Sequence, residues 1–141
     1  MLGGKYNHNI NENGRLNFPA KLRESLGEKF VVSMSLDDSS SLFVYSLEEW
    51  DVVGKKIMEN SSGQELDFLR MIYSDMEIVK PDSQGRIVIP KHLREHAGLT
   101  NNVTIIGVFN HAEIWDTEKY EEKSTKLNKQ KLLNESGKII F

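Results

Sequence analysis

The sequence predicts an α+β fold: a β-rich unit formed by two duplicated halves that share one core, with helices at the periphery. Three observations carry this reading. A stretch of seventeen residues occurs twice, as NENGRLNFPAKLRESLG at 11–27 and DSQGRIVIPKHLREHAG at 82–98, offset by 71 positions without a gap and identical at seven of them. A repeat of that length is too long for a solenoid and too short for two large domains, so it points to half-domains on one core. Short apolar segments around each copy alternate with the period of a strand, and the segments joining them carry helix caps and helical spacing.

The elements follow in order. Residues 5–10 read as a short strand, and Asn11-Glu12-Asn13-Gly14 as a turn in which Asn bonds its own backbone and Gly supplies positive φ. At 15–18, Leu16 and Phe18 share one face and Arg15 and Asn17 the other, so Arg15 is expected to point outward beside the turn. Pro19 opens a short helix that Gly27 closes. Strands are expected at 30–36 and 42–45, separated by a polar loop at 37–41. Ser46 with Glu49 has capping-box spacing, which predicts a helix over 47–59. Ser61-Ser62-Gly63 breaks it, and Leu66, Leu69, Ile72, Tyr73 and Met76 mark an amphipathic helix over 65–76. The second half repeats the plan: strand 76–80, turn 82–85, strand 86–89 with Ile87 and Ile89 inward, helix 90–97, and strands 103–108 and 113–115. Val44-Tyr45, Glu48 and Trp50 reappear as Ile114-Trp115, Glu118 and Tyr120, now at an offset of 70. Asp116 is expected to cap one helix over 117–133, followed by a polar stretch and the apolar end Ile139-Ile140-Phe141. The division expected is a first half at 1–53, an acidic helical connector at 54–75, a second half at 76–120, and a C-terminal helix and tail at 121–141.

Composition narrows the function. With 38% hydrophobic and 28% charged residues the chain has a soluble globular composition. Its longest apolar runs, such as Ile87-Val88-Ile89, fall far short of a membrane span, and the N-terminal residues lack the apolar core of a signal peptide. No cysteine is present, which excludes disulfides, thiol catalysis and thiolate metal sites and suits a reducing cytoplasm. The net charge of −3 is unevenly spread: +2 over 1–33, −7 over 34–79, +2 over 80–98 and zero over 99–141. The two motif regions are thus locally basic on an acidic chain. That pattern is compatible with nucleic-acid binding through repeated, well-placed cations.

The repeated unit is a strand, a Gly turn, an Arg-headed strand, a Pro and a short helix. It stands as Asn11-x-x-Gly14-Arg15-x-x-x-Pro19-x-x-Leu22-Arg23 and Asp82-x-x-Gly85-Arg86-x-x-x-Pro90-x-x-Leu93-Arg94. With Gly3, Tyr6, Asn7 and His8, and with the run Ile106-Gly107-x-Phe109-Asn110-His111-x-Glu113-Ile114-Trp115, the sequence resembles the MraZ family. Each half of that family is similar to the AbrB-type (SpoVT-AbrB) DNA-binding module, and the resemblance covers nearly the whole chain except the C-terminal tail. It implies a swapped-hairpin, AbrB-like barrel in which two halves of one chain replace two subunits. It further implies a homo-oligomeric ring, cytoplasmic and nucleoid-associated, that binds double-stranded DNA at short promoter repeats. Through these it represses a division and cell-wall gene cluster, its own gene included. No enzyme activity, cofactor, metal or membrane is implied.

The residue chemistry agrees with such a role. An Arg behind a tight Gly turn is well presented to guanine O6 and N7, which makes Arg15 and Arg86 the candidate base readers. Asn13, Asn17 and Gln84 join them as candidate DNA-binding residues, and Asn11, Gly14, Asp82 and Gly85 as turn supports. Lys21, Arg23, Lys91 and Arg94 on the short helices are candidate phosphate contacts, with ion pairing as the alternative for the two arginines. One position departs from the family pattern: the acidic residue heading the motif is kept as Asp82 but is Asn11 in the first copy. Asn makes the turn bond but cannot pair with an Arg four residues on, so Arg15 is expected to be less constrained than Arg86.

Two competing readings remain. The motif could serve assembly alone, in a ring-forming interaction protein without DNA readout. His92-x-x-Glu95-His96 also fits a zinc-hydrolase pattern. Lys21-Leu22-Arg23-Glu24-Ser25 at the same places explains most of that match by duplication, and the expected helix is only about two turns long. The Lys123, Lys126, Lys129 and Lys131 run, interleaved with Glu and Asn, reads as a solvated helix face.

Overall fold

A computed structural model describes residues 1–60 and 62–138 of the chain. The first half comprises β1 (Lys5–Asn9), β2 (Arg15–Asn17), α1 (Ala20–Leu26), β3 (Phe30–Met34) and β4 (Leu42–Ser46). Helices α2 (Leu47–Glu59) and α3 (Gly63–Asp75) come next. The second half comprises β5 (Glu77–Val79), β6 (Arg86–Val88), α4 (Lys91–Ala97), β7 (Asn102–Val108) and β8 (His111–Asp116). Helices α5 (Thr117–Lys126) and α6 (Lys129–Ser136) follow.

The halves are joined by exchange rather than by docking. The main sheet has the order β1-β7-β8-β4-β3-β5, and β2 and β6 form a separate two-stranded ribbon. Thus β1 of the first half adds to β7 of the second, with His8 opposite Val103, while β5 of the second adds to β3 of the first, with Val79 opposite Phe30. Two antiparallel pairings lie on the pseudo-twofold relation itself. In the ribbon, Leu16 faces its own counterpart Ile87, and between the main sheet's central strands, β4 and β8, Phe43 faces Glu113. The fold is α+β as expected, with every strand pair antiparallel; among the described residues the strand order is open and no closed barrel forms.

Both sides of β3 and β4 are covered, so these strands read as continuous apolar runs instead of alternating ones. Phe30, Val32, Leu42 and Val44 point into the shared core with Leu16, Phe18, Leu22, Ile87, Ile89, Leu93, Ile105 and Ile114. Val31, Phe43 and Tyr45 point the other way, under Trp50 of α2 and Ile72 of α3. Helix α2 starts as expected, with Ser46 Oγ accepting from the Glu49 amide at 3.1 Å. Helix α3 is opened by a capping box between Ser62 and Glu65. The duplicated aromatic positions also pack alike: Tyr45 lies 5.5 Å from Trp50 and Trp115 lies 5.7 Å from Tyr120. The large and small rings have changed places.

The helix expected over 117–133 is a correction. It breaks at Leu127 and Asn128 into α5 and α6, because the Asn128 side chain accepts from the Lys131 amide at 3.0 Å and starts a new helix. Neither helix buries a residue, so no apolar face holds the two in one axis. Strand β8 begins at His111, two residues earlier than expected, since Phe109 takes the turn with φ 64°. The apolar end 139–141 lies outside the described residues.

Candidate nucleic-acid interface

The two Gly-Arg motifs meet on the β2–β6 ribbon. In the first, Asn11 Oδ1 accepts from the amides of Asn13 and Arg15 at 3.0 and 2.8 Å, and the Gly14 amide donates to the Asn11 carbonyl at 2.9 Å. In the second, Asp82 Oδ1 accepts from Gln84 and Arg86 at 2.9 and 3.0 Å, and the Gly85 amide donates to Asp82 at 2.9 Å. One Asx-turn design is thus built twice. Both glycines need positive φ, 83° at Gly14 and 79° at Gly85, which a side chain would resist.

Each loop also rests on the other half. The Ile89 amide donates to the Gly14 carbonyl at 2.7 Å, and the Phe18 amide to the Gly85 carbonyl at 3.0 Å. Between these bonds run the three ladder pairs Arg15–Val88, Leu16–Ile87 and Asn17–Arg86. Leu16 and Ile87 are buried, which turns Arg15, Asn17, Arg86 and Val88 to the outer face. Arg15 and Arg86 hold diagonal ladder positions, which sets the two residues roughly 7–8 Å apart, their Cβ atoms somewhat closer. A two-stranded antiparallel ribbon is one of the elements that fit the DNA major groove.

The two arginines differ in freedom, as the Asn11/Asp82 difference predicts. Arg86 donates from Nε to Asp82 Oδ2 at 2.9 Å, and its side chain is 36% exposed. Arg15 is exposed, and among the described residues its side chain has no hydrogen-bond or ion-pair partner. The carboxyl of Asp82 is held below its ordinary pKa, chiefly by the backbone N–H of Arg86, with the Gln84 amide and the Arg86 side chain adding to it.

The other expected contacts fall into two groups. Asn13 and Gln84 lie exposed in the turns, and Lys21 and Lys91 are exposed on α1 and α4, Lys91 at 3.8 Å from Glu95 Oε1. Arg23 and Arg94 instead turn inward beneath the loops. Arg94 donates from Nε to the Ile89 carbonyl at 2.9 Å and from Nη1 to the Glu12 carbonyl at 3.0 Å. Arg23 donates from Nε to the Phe18 carbonyl at 3.1 Å. Val88, 49% exposed and opposite Arg15, is an outer-face residue missing from the expected set. Its outward direction was readable from Ile87 and Ile89 pointing in, but its place beside Arg15 depends on cross-half pairing. As for the zinc pattern, His92 Nε2 lies 2.9 Å from the Asp75 carbonyl. Among the described residues no three His, Asp or Glu side chains converge on a metal geometry.

Comparison with known proteins follows the duplication. The family model described as "MraZ protein, putative antitoxin-like" matches twice, at residues 1–70 and 72–138. The chain belongs to the MraZ family. It is 42% identical over 126 residues to a protein of Acetivibrio thermocellus named transcriptional regulator MraZ, spanning 88% of this chain and 87% of the relative. The protein of that name from Caldanaerobacter subterraneus subsp. tengcongensis is 44% identical over 126 residues, with the same shares of 88% and 87%. That from Heliobacterium modesticaldum is 44% identical over 129 residues, spanning 88% and 89%. MraZ is a family of regulators, not of enzymes. Among the described residues no helix is long and apolar enough to cross a membrane.

Proposed function

We propose that this chain is a sequence-specific, DNA-binding transcriptional regulator, and that the β2–β6 ribbon is its reading surface. The observation that carries the reading is the pairing of two Asx-Gly turns across one ribbon, with Arg15 and Arg86 on its outer face. Arg15 and Arg86 read guanines in the major groove. Asn13, Asn17, Gln84 and Val88 contact neighbouring base edges, and Lys21 and Lys91 contact phosphates. A single ribbon covers only a few base pairs, so useful affinity comes from a homo-oligomeric ring engaging several short boxes at once. Met58, Phe68, Met71 and Ile78, exposed on the α2–α3 side and on β5, supply apolar surface for such self-association. In this reading the ring sits on the nucleoid in the cytoplasm. It binds repeated boxes upstream of its own gene and represses the division and cell-wall cluster that follows. The regulator name carried by the relatives supports the role.

Fluorescence anisotropy against the chain's own upstream DNA and a scrambled duplex tests it. Arg15→Ala and Arg86→Ala should each cost about 1–3 kcal/mol of discrimination between the two duplexes. Wild-type affinity should fall steeply with salt. Full discrimination by the double variant would leave the assembly reading in its place.

A further inference from the structure

Arg23 and Arg94 hold equivalent places in the duplicated motif, and neither behaves as a surface cation. Both are half-buried, and both donate Nε to the carbonyl five residues back, at the end of the ribbon strand before their own helix. From there each reaches the loop of the opposite half. A Cβ built on Gly14 would lie 2.9 Å from Arg94 Nε, and one built on Gly85 would lie 2.7 Å from Arg23 Nη2. The glycines therefore admit the opposite half's guanidinium as well as their own turn. Arg94 goes further and bonds the Glu12 carbonyl, across 82 residues of sequence.

We propose that Arg94 and Arg23 are cross-half positioning residues, each holding the Gly-Arg loop of the other half in its reading geometry without touching DNA. The proposal rests on the DNA-reading role given above. Its physical basis is the fork of the guanidinium, which can bond two carbonyls at a fixed angle where a lysine ammonium cannot. The two braces are unequal, and the inequality complements that of the turns. The Asn11 loop, which lacks the ion pair, is hydrogen-bonded by its brace at the Glu12 carbonyl; the Asp82 loop has the ion pair, and its brace, whose one hydrogen bond goes to Phe18 of its own half, only packs against it at Gly85. Arg15 is thus a free side chain on a clamped backbone, and Arg86 a clamped side chain on a more lightly braced one.

Amide hydrogen exchange on the full chain tests the brace without DNA. Arg94→Ala should speed exchange at Asn13, Gly14 and Arg15 by about tenfold and leave 84–86 unchanged. Arg23→Ala should do the reverse, with a smaller effect. Arg94→Lys should resemble Arg94→Ala, and Arg94→Met keeps the aliphatic stem should the alanine variant fail to fold. Loosening of 84–86 by the Arg94 variants, or no change at 13–15, overturns the proposal. Anisotropy against the upstream and scrambled duplexes separates positioning from phosphate contact. A positioning residue lowers the ratio of the two affinities about tenfold at constant salt slope, and Arg94→Ala adds nothing once Arg15 is alanine while still compounding Arg86→Ala. A phosphate contact would instead lower the slope by about 0.9, spare the ratio and be rescued by Arg94→Lys; that result overturns the proposal. A wild-type chain that does not discriminate the duplexes overturns the DNA-reading role, and the exchange measurement then still decides the brace.

Discussion

Replacing either turn glycine by alanine should destabilise the protein, and Gly14→Ala should do so more than Gly85→Ala. The φ values of 83° and 79° are nearly equal, so the conformational part is shared, about 1–2 kcal/mol each. The surroundings differ. A methyl on Gly14 would meet the Ile89 carbonyl oxygen at 2.4 Å, a backbone atom that no rotamer change can move. Relief requires the ribbon end to shift, which weakens the 2.7 Å bond from the Ile89 amide to Gly14 and the Arg94 bond to the same Ile89 carbonyl. Two such bonds are worth about 1 kcal/mol each. A methyl on Gly85 would meet only the tip of Arg23, at 2.7 Å, which can swing aside. The totals are about 3–4 kcal/mol for Gly14→Ala and about 1–2 kcal/mol for Gly85→Ala. At a urea slope of about 2 kcal/mol/M the midpoints should fall by roughly 1.5–2 M and 0.5–1 M. Two-state urea unfolding followed by tryptophan fluorescence measures both. Equal losses, or a larger loss at Gly85, would refute the assignment of these contacts.

Three further outcomes are expected. Ile72→Ala, which hollows the fully buried contact between α3 and the sheet, should cost about 2–4 kcal/mol in urea unfolding while leaving the ribbon's amide exchange unchanged. Burial of the Tyr45 hydroxyl, with Glu113 nearby, pushes its pKa up to about 12. Because the folded value lies above the ordinary 10.0, its contribution is intact below pH 10 and is lost as pH rises towards 12. Alkaline unfolding should therefore be steeper in the wild type than in Tyr45→Phe over that range. Asp82, held below 3.8, contributes stability above that value that fades as pH falls through its folded pKa. Asp82→Asn should remove that acid-side dependence and free Arg86, seen as faster Nε–H exchange. Asn11→Asp should slow the same signal of Arg15.

Much of the fold and site was legible because it rests on local chemistry written twice. The Asx turns, the Pro-opened helices and the Ser46 cap each depend on residues within four positions of one another. The different footing of Arg15 and Arg86 followed from one missing carboxylate oxygen. What was not legible depends on which strand meets which. Nothing near Lys5 says that its partner is Ile106, and the inward alternation of Leu16 and Ile87 does not reveal that they face each other. For the same reason Val88 escaped notice, and Arg23 and Arg94 stood open between DNA and ion pairing. Two of their acceptors, the Phe18 and Ile89 carbonyls, are local, but the Glu12 carbonyl and the opposite glycine come near only through the exchanged topology. The break at Asn128 shows a different limit, since a polar helix with nothing to bury has no periodic signal of its continuity.

The strand exchange also sets a timetable for synthesis. Strand β1 is made well before its partner β7, which ends at Val108, about a hundred residues later. At about 5–20 residues per second, β1 waits on the order of 5–20 s with its hydrogen-bonding edge unfilled. Strands β3 and β4 can pair as soon as they emerge, but β3 too lacks its outer neighbour until Glu77–Val79 follow. The ribbon needs Arg86–Val88 and has no first-half substitute. A nascent chain shorter than this therefore has one Gly-Arg loop with nothing to lean on. The paired geometry of the loops is acquired late and all at once, when the second half arrives to complete the first.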